Sequence, residues 1–189
     1  MNPKAIPNLI TCFRILLVIP LVALLVDRQY GMVLALFAVA GASDALDGFL
    51  ARRFGWSSRL GALLDPLADK LLMVSSYITM GLLGMLPAWL VALVILRDIV
   101  IIGGAAAYQF LIGQVEMEPT LVSKANTALQ VLLVLLVLFS FAIQALPGPF
   151  INGIVMVVAV TTVWSGFKYV GIWGKRAHHY RSSERKGSR

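Results

Sequence analysis

Long apolar runs separated by short polar turns leave this chain few architectures. Stretches such as VLLVLLVLFSFAIQAL and FINGIVMVVAVTTVW have no polar face to turn towards water. A surface helix of a soluble protein has one apolar face, whereas a bilayer-crossing helix needs roughly 20 mainly apolar residues. Six runs qualify, at about 9–26, 31–54, 59–83, 86–111, 122–145 and 150–173. The expected fold class is all-α, a polytopic integral membrane protein with six transmembrane helices. Strands of a membrane barrel alternate in polarity over about 10 residues; these runs do not.

Six spans put both termini on one side. Lys4, Arg52, Arg53, Arg59 and the tail GKRAHHYRSSERKGSR all fall on that side, and the opposite turns carry only Arg28. Basic residues mark the cytoplasmic face, so both termini are expected there. The net charge of +7 is then topology plus attraction to anionic lipid. Nucleic-acid binding finds no basic stripe with interleaved aromatics. The domain division is 1–174 as the membrane domain and 175–189 as a basic cytoplasmic tail, expected to be solvated and partly disordered. His178 and His179 in that tail look incidental. Arg14 interrupts the first apolar run and no small-x-small cleavage site follows, so the first span is expected to stay as a helix. Cys12 is the only cysteine. It is expected to pack as a small hydrophobe.

Against this background one stretch stands out, Ser43 to Lys70: SDALDGFLARRFGWSSRLGALLDPLADK. It holds Asp44, Asp47, Asp65 and Asp69, four of the nine acidic residues. Intramembrane carboxylates are costly and mark function. On two helices joined by a turn near 55–58, Asp44 and Asp47 are three apart, and Asp65 and Asp69 four apart. Both spacings place two carboxylates on one helical face, with Cβ atoms about 5–6 Å apart. No His or Cys accompanies them, so the donor set is all oxygen. That suits Mg²⁺, Mn²⁺ or Ca²⁺ rather than zinc. Two divalent ions would balance four carboxylates, and metal pairs roughly 3.5–4 Å apart recur in phosphoryl transfer. Gly48 and Gly61 lie on the same faces and leave room for a bulky ligand. Pro66 removes a backbone donor beside Asp65 and is expected to kink its helix. The alternative is a set of internally paired intramembrane charges.

Three further groups are candidates for lipid or acceptor contact. Asn8, Thr11 and Arg14 share one face near the start of the first span; capping plus an interfacial arginine is the other reading. Arg59 lies at a helix end. In the fourth span Arg97 either forms an ion pair with Asp98 among the helices or meets a lipid phosphate. The small-residue patch from Gly103 to Ala107 permits close helix packing, within the chain or in a dimer. Lys124, Thr127 and Gln130 recur by threes at the start of the fifth helix, where free backbone donors favour anions; capping with a snorkelling lysine is the alternative. The rest of the fifth span and the sixth span read as scaffold.

The pattern Asp-x2-Asp-Gly-x2-Ala-Arg-x8-Gly-x3-Asp-x3-Asp is matched in full by Asp44, Asp47, Gly48, Ala51, Arg52, Gly61, Asp65 and Asp69. In this the chain resembles the CDP-alcohol phosphatidyltransferases. The resemblance implies a membrane enzyme moving a phosphatidyl group from CDP-diacylglycerol to an alcohol with release of CMP. It further implies two divalent cations, Mg²⁺ or Mn²⁺. Asp44, Asp47 and Asp65 would be metal ligands, and Asp69 both ligand and general base. Gly48, Ala51, Arg52 and Gly61 would border the CDP moiety. Ile6-Pro7-Asn8-Leu9-Ile10-Thr11 with Arg14, and Leu64 to Lys70, resemble the cardiolipin synthase and phosphatidylglycerophosphate synthase branches. The second branch typically has Arg-Glu in the fourth span, a further arginine beyond it, and Gly-Lys-x-Lys-Thr before the fifth. Here Arg97-Asp98 and Ser123-Lys124-Ala125-Asn126-Thr127 depart from that, removing positive charge a glycerol phosphate would want. The acceptor implied is phosphatidylglycerol, giving cardiolipin; the runner-up is glycerol 3-phosphate. A homodimer in a bacterial inner membrane, its site at the cytoplasmic face, completes the expectation. A cation transporter is a distant alternative, since no second motif answers the first as paired halves require.

Overall fold

The computed structural model describes the backbone over 5–54, 59–112 and 121–187, and side chains over 11–43, 67–104, 121–169 and 171. These residues form six helices: α1 (Ala5–Val26), α2 (Tyr30–Phe54), α3 (Arg59–Leu82), α4 (Ala88–Ile112), α5 (Leu121–Ala142) and α6 (Gly148–Gly187). No strand occurs among the described residues. Each helix covers one of the apolar runs. The turn at 55–58 and the polar loop at 113–120 lie outside the described residues, as does any bend made by Pro66, through which α3 is continuous helix.

Two boundaries differ from expectation. α1 begins at Ala5, which takes Pro7 into the first turn, where its missing N–H is not needed. α6 runs for 40 residues and carries the basic segment as helical backbone to Gly187. The expected disorder of that segment is corrected accordingly. Its charges do not need lipid to be helical; at about 1.5 Å per residue α6 is roughly twice as long as the hydrocarbon core is thick. Only Gly148–Tyr169 has the composition of a span.

The reversals are made by backbone hydrogen bonds. After α1, Gln29 N donates to Leu24 O at 2.9 Å and Arg28 N to Leu25 O at 3.1 Å, with Arg28 at φ 58°. After α3, Met85 N donates to Met80 O at 2.9 Å and Gly84 N to Gly81 O at 3.1 Å, with Gly84 at φ 71°. Both are Schellman endings, which pair carbonyls the helix leaves open and require a left-handed residue. At the end of α5, Ile143 N and Gln144 N donate to Phe139 O at 3.0 and 3.3 Å, and Ser140 Oγ accepts from Leu146 N at 3.0 Å.

The chain forms two compact units, Met1–Ala88 with Val134–Pro147, and Trp89–Leu133 with Gly148–Arg189. In the first, α1 packs on both α2 and α3. Its buried stripe runs Thr11, Arg14, Leu21, Leu25, meeting Val33, Phe37 and Ala40 of α2 and Ala68, Leu72, Ser76 and Met80 of α3. Spacings of three, four and seven keep each stripe on one face. Tyr30 and Phe141 close the same unit with tilted rings 5.3 Å apart. In the second unit the stripe of α6, Val155, Val158, Thr162, Ser165 and Tyr169, alternates steps of four and three. Two of these five, Thr162 and Ser165, are polar, and their partners are polar as well.

The outward surface is apolar. Ile19, Leu82, Leu121, Val160, Trp164 and Phe167 are among many large hydrophobic side chains that are mostly exposed. Such continuous apolar exposure is unusual in a water-soluble monomer and is what lipid contact requires. Among the described residues, Leu121–Ala142 and Gly148–Tyr169 are long and apolar enough to cross a membrane; Thr11–Val26 and Tyr30–Ser43 are apolar over shorter lengths. Cys12 belongs to this outer surface and is exposed rather than packed.

Candidate active site

α2 and α3 set the spacing of the acidic residues. Both helices are continuous through them, so Asp44 and Asp47 lie about one turn apart on α2, and Asp65 and Asp69 about one turn apart on α3. The side chains of Asp44, Asp47 and Asp65 lie outside the described residues, as do those of Asn8, Gly48, Ala51, Arg52, Arg59 and Gly61. Among the described residues no three metal-binding side chains come together. The one described carboxylate of the group is Asp69.

Asp69 is held from α1. Arg14 Nη1 donates to Asp69 Oδ1 at 2.7 Å, a short charge-assisted bond between residues 55 apart in sequence. The pair is lopsided: the Arg14 side chain is 1% exposed and that of Asp69 52%. The guanidinium is enclosed where α1 meets α3, beside the buried Thr11, and the carboxylate opens outward. Thr11 and Arg14 thus share one buried face of α1, as their spacing suggested. A carboxylate held by an arginine and half exposed, in an all-oxygen donor set, fits a hard divalent cation.

The polar residues of the second unit form a separate cluster. Arg97 and Asp98 on α4 are both buried, and Arg97 Nη1 donates to Asp98 Oδ1 at 2.9 Å. Arg97 also donates through Nε and Nη2 to Ser165 Oγ of α6, at 3.2 and 2.7 Å, and through Nη2 to Ser123 Oγ of α5 at 2.6 Å. Along α5, Asn126 Oδ1 accepts from Thr161 at 2.8 Å and Thr162 at 3.0 Å, while Gln130 Nε2 lies 3.5 Å from Thr162 Oγ1. These contacts tie α4, α5 and α6 together through groups that lipid could not satisfy.

The residues expected in threes on α5 therefore separate. Lys124 is exposed, Thr127 Oγ1 donates to Ser123 O at 3.1 Å, and Gln130 is buried against α6. Of the two readings of Arg97, the geometry has the ion pair among helices. α6 corrects the view of it as bare scaffold, because Thr161, Thr162 and Ser165 complete the cluster. Sequence reasoning missed Ser123, Asn126 and these three. The signal was available: Ser123, Asn126 and Gln130 follow a three–four step, and Thr162 and Ser165 a step of three, inside otherwise apolar runs.

A tie from the enclosed Arg14 of α1 to the half-exposed Asp69 of α3, with described elements that are all helices and expose much apolar surface, describes a membrane protein of the kind the motif implies. The sequence model of the CDP-alcohol phosphatidyltransferases matches residues 4–164, and the chain belongs to that family. Its members are membrane proteins and generally use a divalent metal. Among relatives, the cardiolipin synthase (CMP-forming) of Rattus norvegicus is 32% identical over 184 residues, and that of Homo sapiens 31% over 184. Each alignment takes in 89% of this chain and 61% of the relative. A chloroplastic CDP-diacylglycerol–glycerol-3-phosphate 3-phosphatidyltransferase of Oryza sativa subsp. japonica is 32% identical over 194 residues, 90% of this chain and 59% of the relative. The chain spans about three fifths of the length of these relatives. Family membership sets aside the cation-transporter reading.

Proposed function

We propose that this protein transfers a phosphatidyl group from CDP-diacylglycerol to phosphatidylglycerol, giving cardiolipin and CMP. The observation that carries the reading is the complete eight-position motif within the family match, in a chain whose relatives include CMP-forming cardiolipin synthases. The runner-up acceptor, glycerol 3-phosphate, is supported by the rice relative's name. Against it stand Asp98 in place of glutamate and the missing second lysine after Lys124.

The residues divide the work as follows. Asp44, Asp47, Asp65 and Asp69 hold Mg²⁺ or Mn²⁺. When bound, the cations supply positive charge against the donor's diphosphate. Gly48, Ala51, Arg52 and Gly61 border the CDP moiety, small residues leaving room and Arg52 meeting phosphate. The acceptor hydroxyl oxygen bonds to the phosphorus that carries diacylglycerol, and its proton passes to Asp69. The bond from that phosphorus to the bridging oxygen breaks, and CMP leaves with the electron pair. Lys124, exposed at the start of α5, and Asn8, Thr127 and Arg59 are the candidate contacts for the acceptor's phosphodiester. Arg97 and Gln130 remain candidates of the same kind, and both side chains are buried and hydrogen-bonded within the second unit.

The same proposal includes six spans, both termini and the site at the cytoplasmic face, a membrane domain over 1–174 with a basic tail over 175–189, and a homodimer. A bacterial inner membrane is the proposed location. Purified protein given radiolabelled CDP-diacylglycerol with each acceptor in the same detergent tests the reaction. Labelled cardiolipin from phosphatidylglycerol, with little product from glycerol 3-phosphate, is expected. The reverse preference moves the protein to the runner-up, and no transfer to either acceptor rejects the proposal.

A further inference from the structure

We propose that Arg14 is a positioning residue for the transfer: from α1 it fixes the orientation in which the Asp69 carboxylate works. The inference rests on the reading above, in which Asp69 takes part in the chemistry. Arg14 lies 55 residues before Asp69, outside the eight-position motif, and on a helix that contributes none of the four aspartates.

The geometry argues for orientation rather than simple neutralisation. An arginine that only needed an anion could meet it anywhere along its long side chain's reach. Here the guanidinium is enclosed to 1% exposure and the 2.7 Å bond takes one defined oxygen, Oδ1, of a carboxylate that is 52% exposed. The fixed member is the arginine, packed in the face of α1 that continues through Thr11, Leu21 and Leu25. The exposed member is the aspartate of α3. A planar guanidinium has few ways to direct a short bond at one oxygen. It therefore limits rotation of the carboxylate about its last bond and leaves the group presented outward. Residues that orient a metal-binding carboxylate from behind commonly alter metal affinity or rate by about 10–100-fold when removed.

The test compares Arg14→Met, Arg14→Lys and Asp69→Asn with Leu25→Ala, which loosens the same face of α1 without touching Asp69. Mn²⁺ binding is read by electron paramagnetic resonance on detergent-purified protein without substrate. Turnover and the KM for CDP-diacylglycerol are measured separately. Arg14→Met should raise the Mn²⁺ concentration at half-saturation about 10-fold and lower kcat about 100-fold. The KM for the donor should stay within about threefold, because no donor contact is removed. Arg14→Lys keeps the charge but not the directed fork, and should recover only part of both losses. If Arg14→Met gives no folded protein, the partial losses in Arg14→Lys carry the test. Normal Mn²⁺ binding and kcat in Arg14→Lys or Arg14→Met, with Asp69→Asn inactive, overturns the positioning role alone. So does a loss in the Arg14 variants that merely follows the folded fraction, as in Leu25→Ala. Full turnover in Asp69→Asn overturns both this inference and the role given to Asp69.

Discussion

Among the described residues two arginines, Arg14 and Arg97, are buried deeply enough that their partners decide their meaning. For Arg14 the partner is Asp69, so replacing that aspartate does more than remove a proton acceptor. Asp69→Asn also takes a charged partner away from an enclosed guanidinium. Breaking a buried pair from one side costs about 3–5 kcal/mol when both members are enclosed. With Asp69 half exposed, we expect about 1–3 kcal/mol, read as a lower unfolding midpoint in denaturant. Adding Arg14→Met should restore most of that stability and none of the turnover. If the double variant is less stable than Asp69→Asn, the pair is not what destabilises the single variant. For Arg97 the partners are Asp98, Ser123 and Ser165, all in the second unit. Arg97→Met removes the charged partner seen for the buried Asp98 and should cost about 3–5 kcal/mol, whereas Ser165→Ala removes one acceptor and should cost about 1–3 kcal/mol. Near-wild-type stability of Arg97→Met would show that the guanidinium is held for a ligand rather than for the fold.

At the scale of helices, the sequence was readable because hydropathy is a local property. Every apolar run became a helix, and the spacing of Asp44 with Asp47 and of Asp65 with Asp69 survives in continuous α2 and α3. Partners were not readable, because a sequence does not state which faces meet. Arg14 finds Asp69 across 55 positions and Arg97 finds Ser165 across 68. Neither pairing follows from the period of its own helix. The helical continuation of α6 was hidden for another reason: charge excludes the basic segment from lipid but not from helix. Helix endings offer a direct check. Gly84 sits at φ 71° in the Schellman ending of α3, where a Cβ meets no neighbour within 4 Å, so Gly84→Ala isolates the backbone term. It should destabilise by about 1–2 kcal/mol. Arg28 holds the same conformation at the end of α1 with a side chain attached. Arg28→Gly should be neutral or stabilising by up to about 1 kcal/mol, the opposite sign for the same geometry. Equal destabilisation by both changes would mean that the arginine side chain, not φ, governs that turn.

For the whole molecule the question is where four carboxylates can sit in a chain with so apolar a surface. Asp47 is six residues from Arg53 on α2, or roughly 9 Å along the helix, which is headgroup depth if Arg53 marks the membrane edge. The donor can then keep its acyl chains in the bilayer while its nucleotide reaches the aspartates. Single cysteines at Gly55 and Gln29, in a Cys12→Ser background, test this in intact cells. Gln29→Cys should react with an impermeant thiol reagent from outside and Gly55→Cys should not; labelling of Gly55→Cys from outside would invert the topology. The proposed function also gives cations a role in holding these charges together. Two unit charges 4 Å apart repel by about 4 kcal/mol at an effective dielectric of 20 and by only about 1 kcal/mol in water. Arg14 pairs with Asp69, and one guanidinium carries a single positive charge against four carboxylates. Under the proposed function, cations let the four aspartates remain charged together. Stripping the purified protein with EDTA should therefore abolish CMP release, and excess Mg²⁺ or Mn²⁺ should restore it. Asp44→Asn, Asp47→Asn and Asp65→Asn should each lose turnover together with Mn²⁺ affinity. Stripped protein should also unfold at a lower temperature than the loaded form, since ligand bound only to the native state stabilises it by mass action. Full activity after exhaustive chelation would remove the cations from the reaction and leave the aspartates to be explained as paired structural charges.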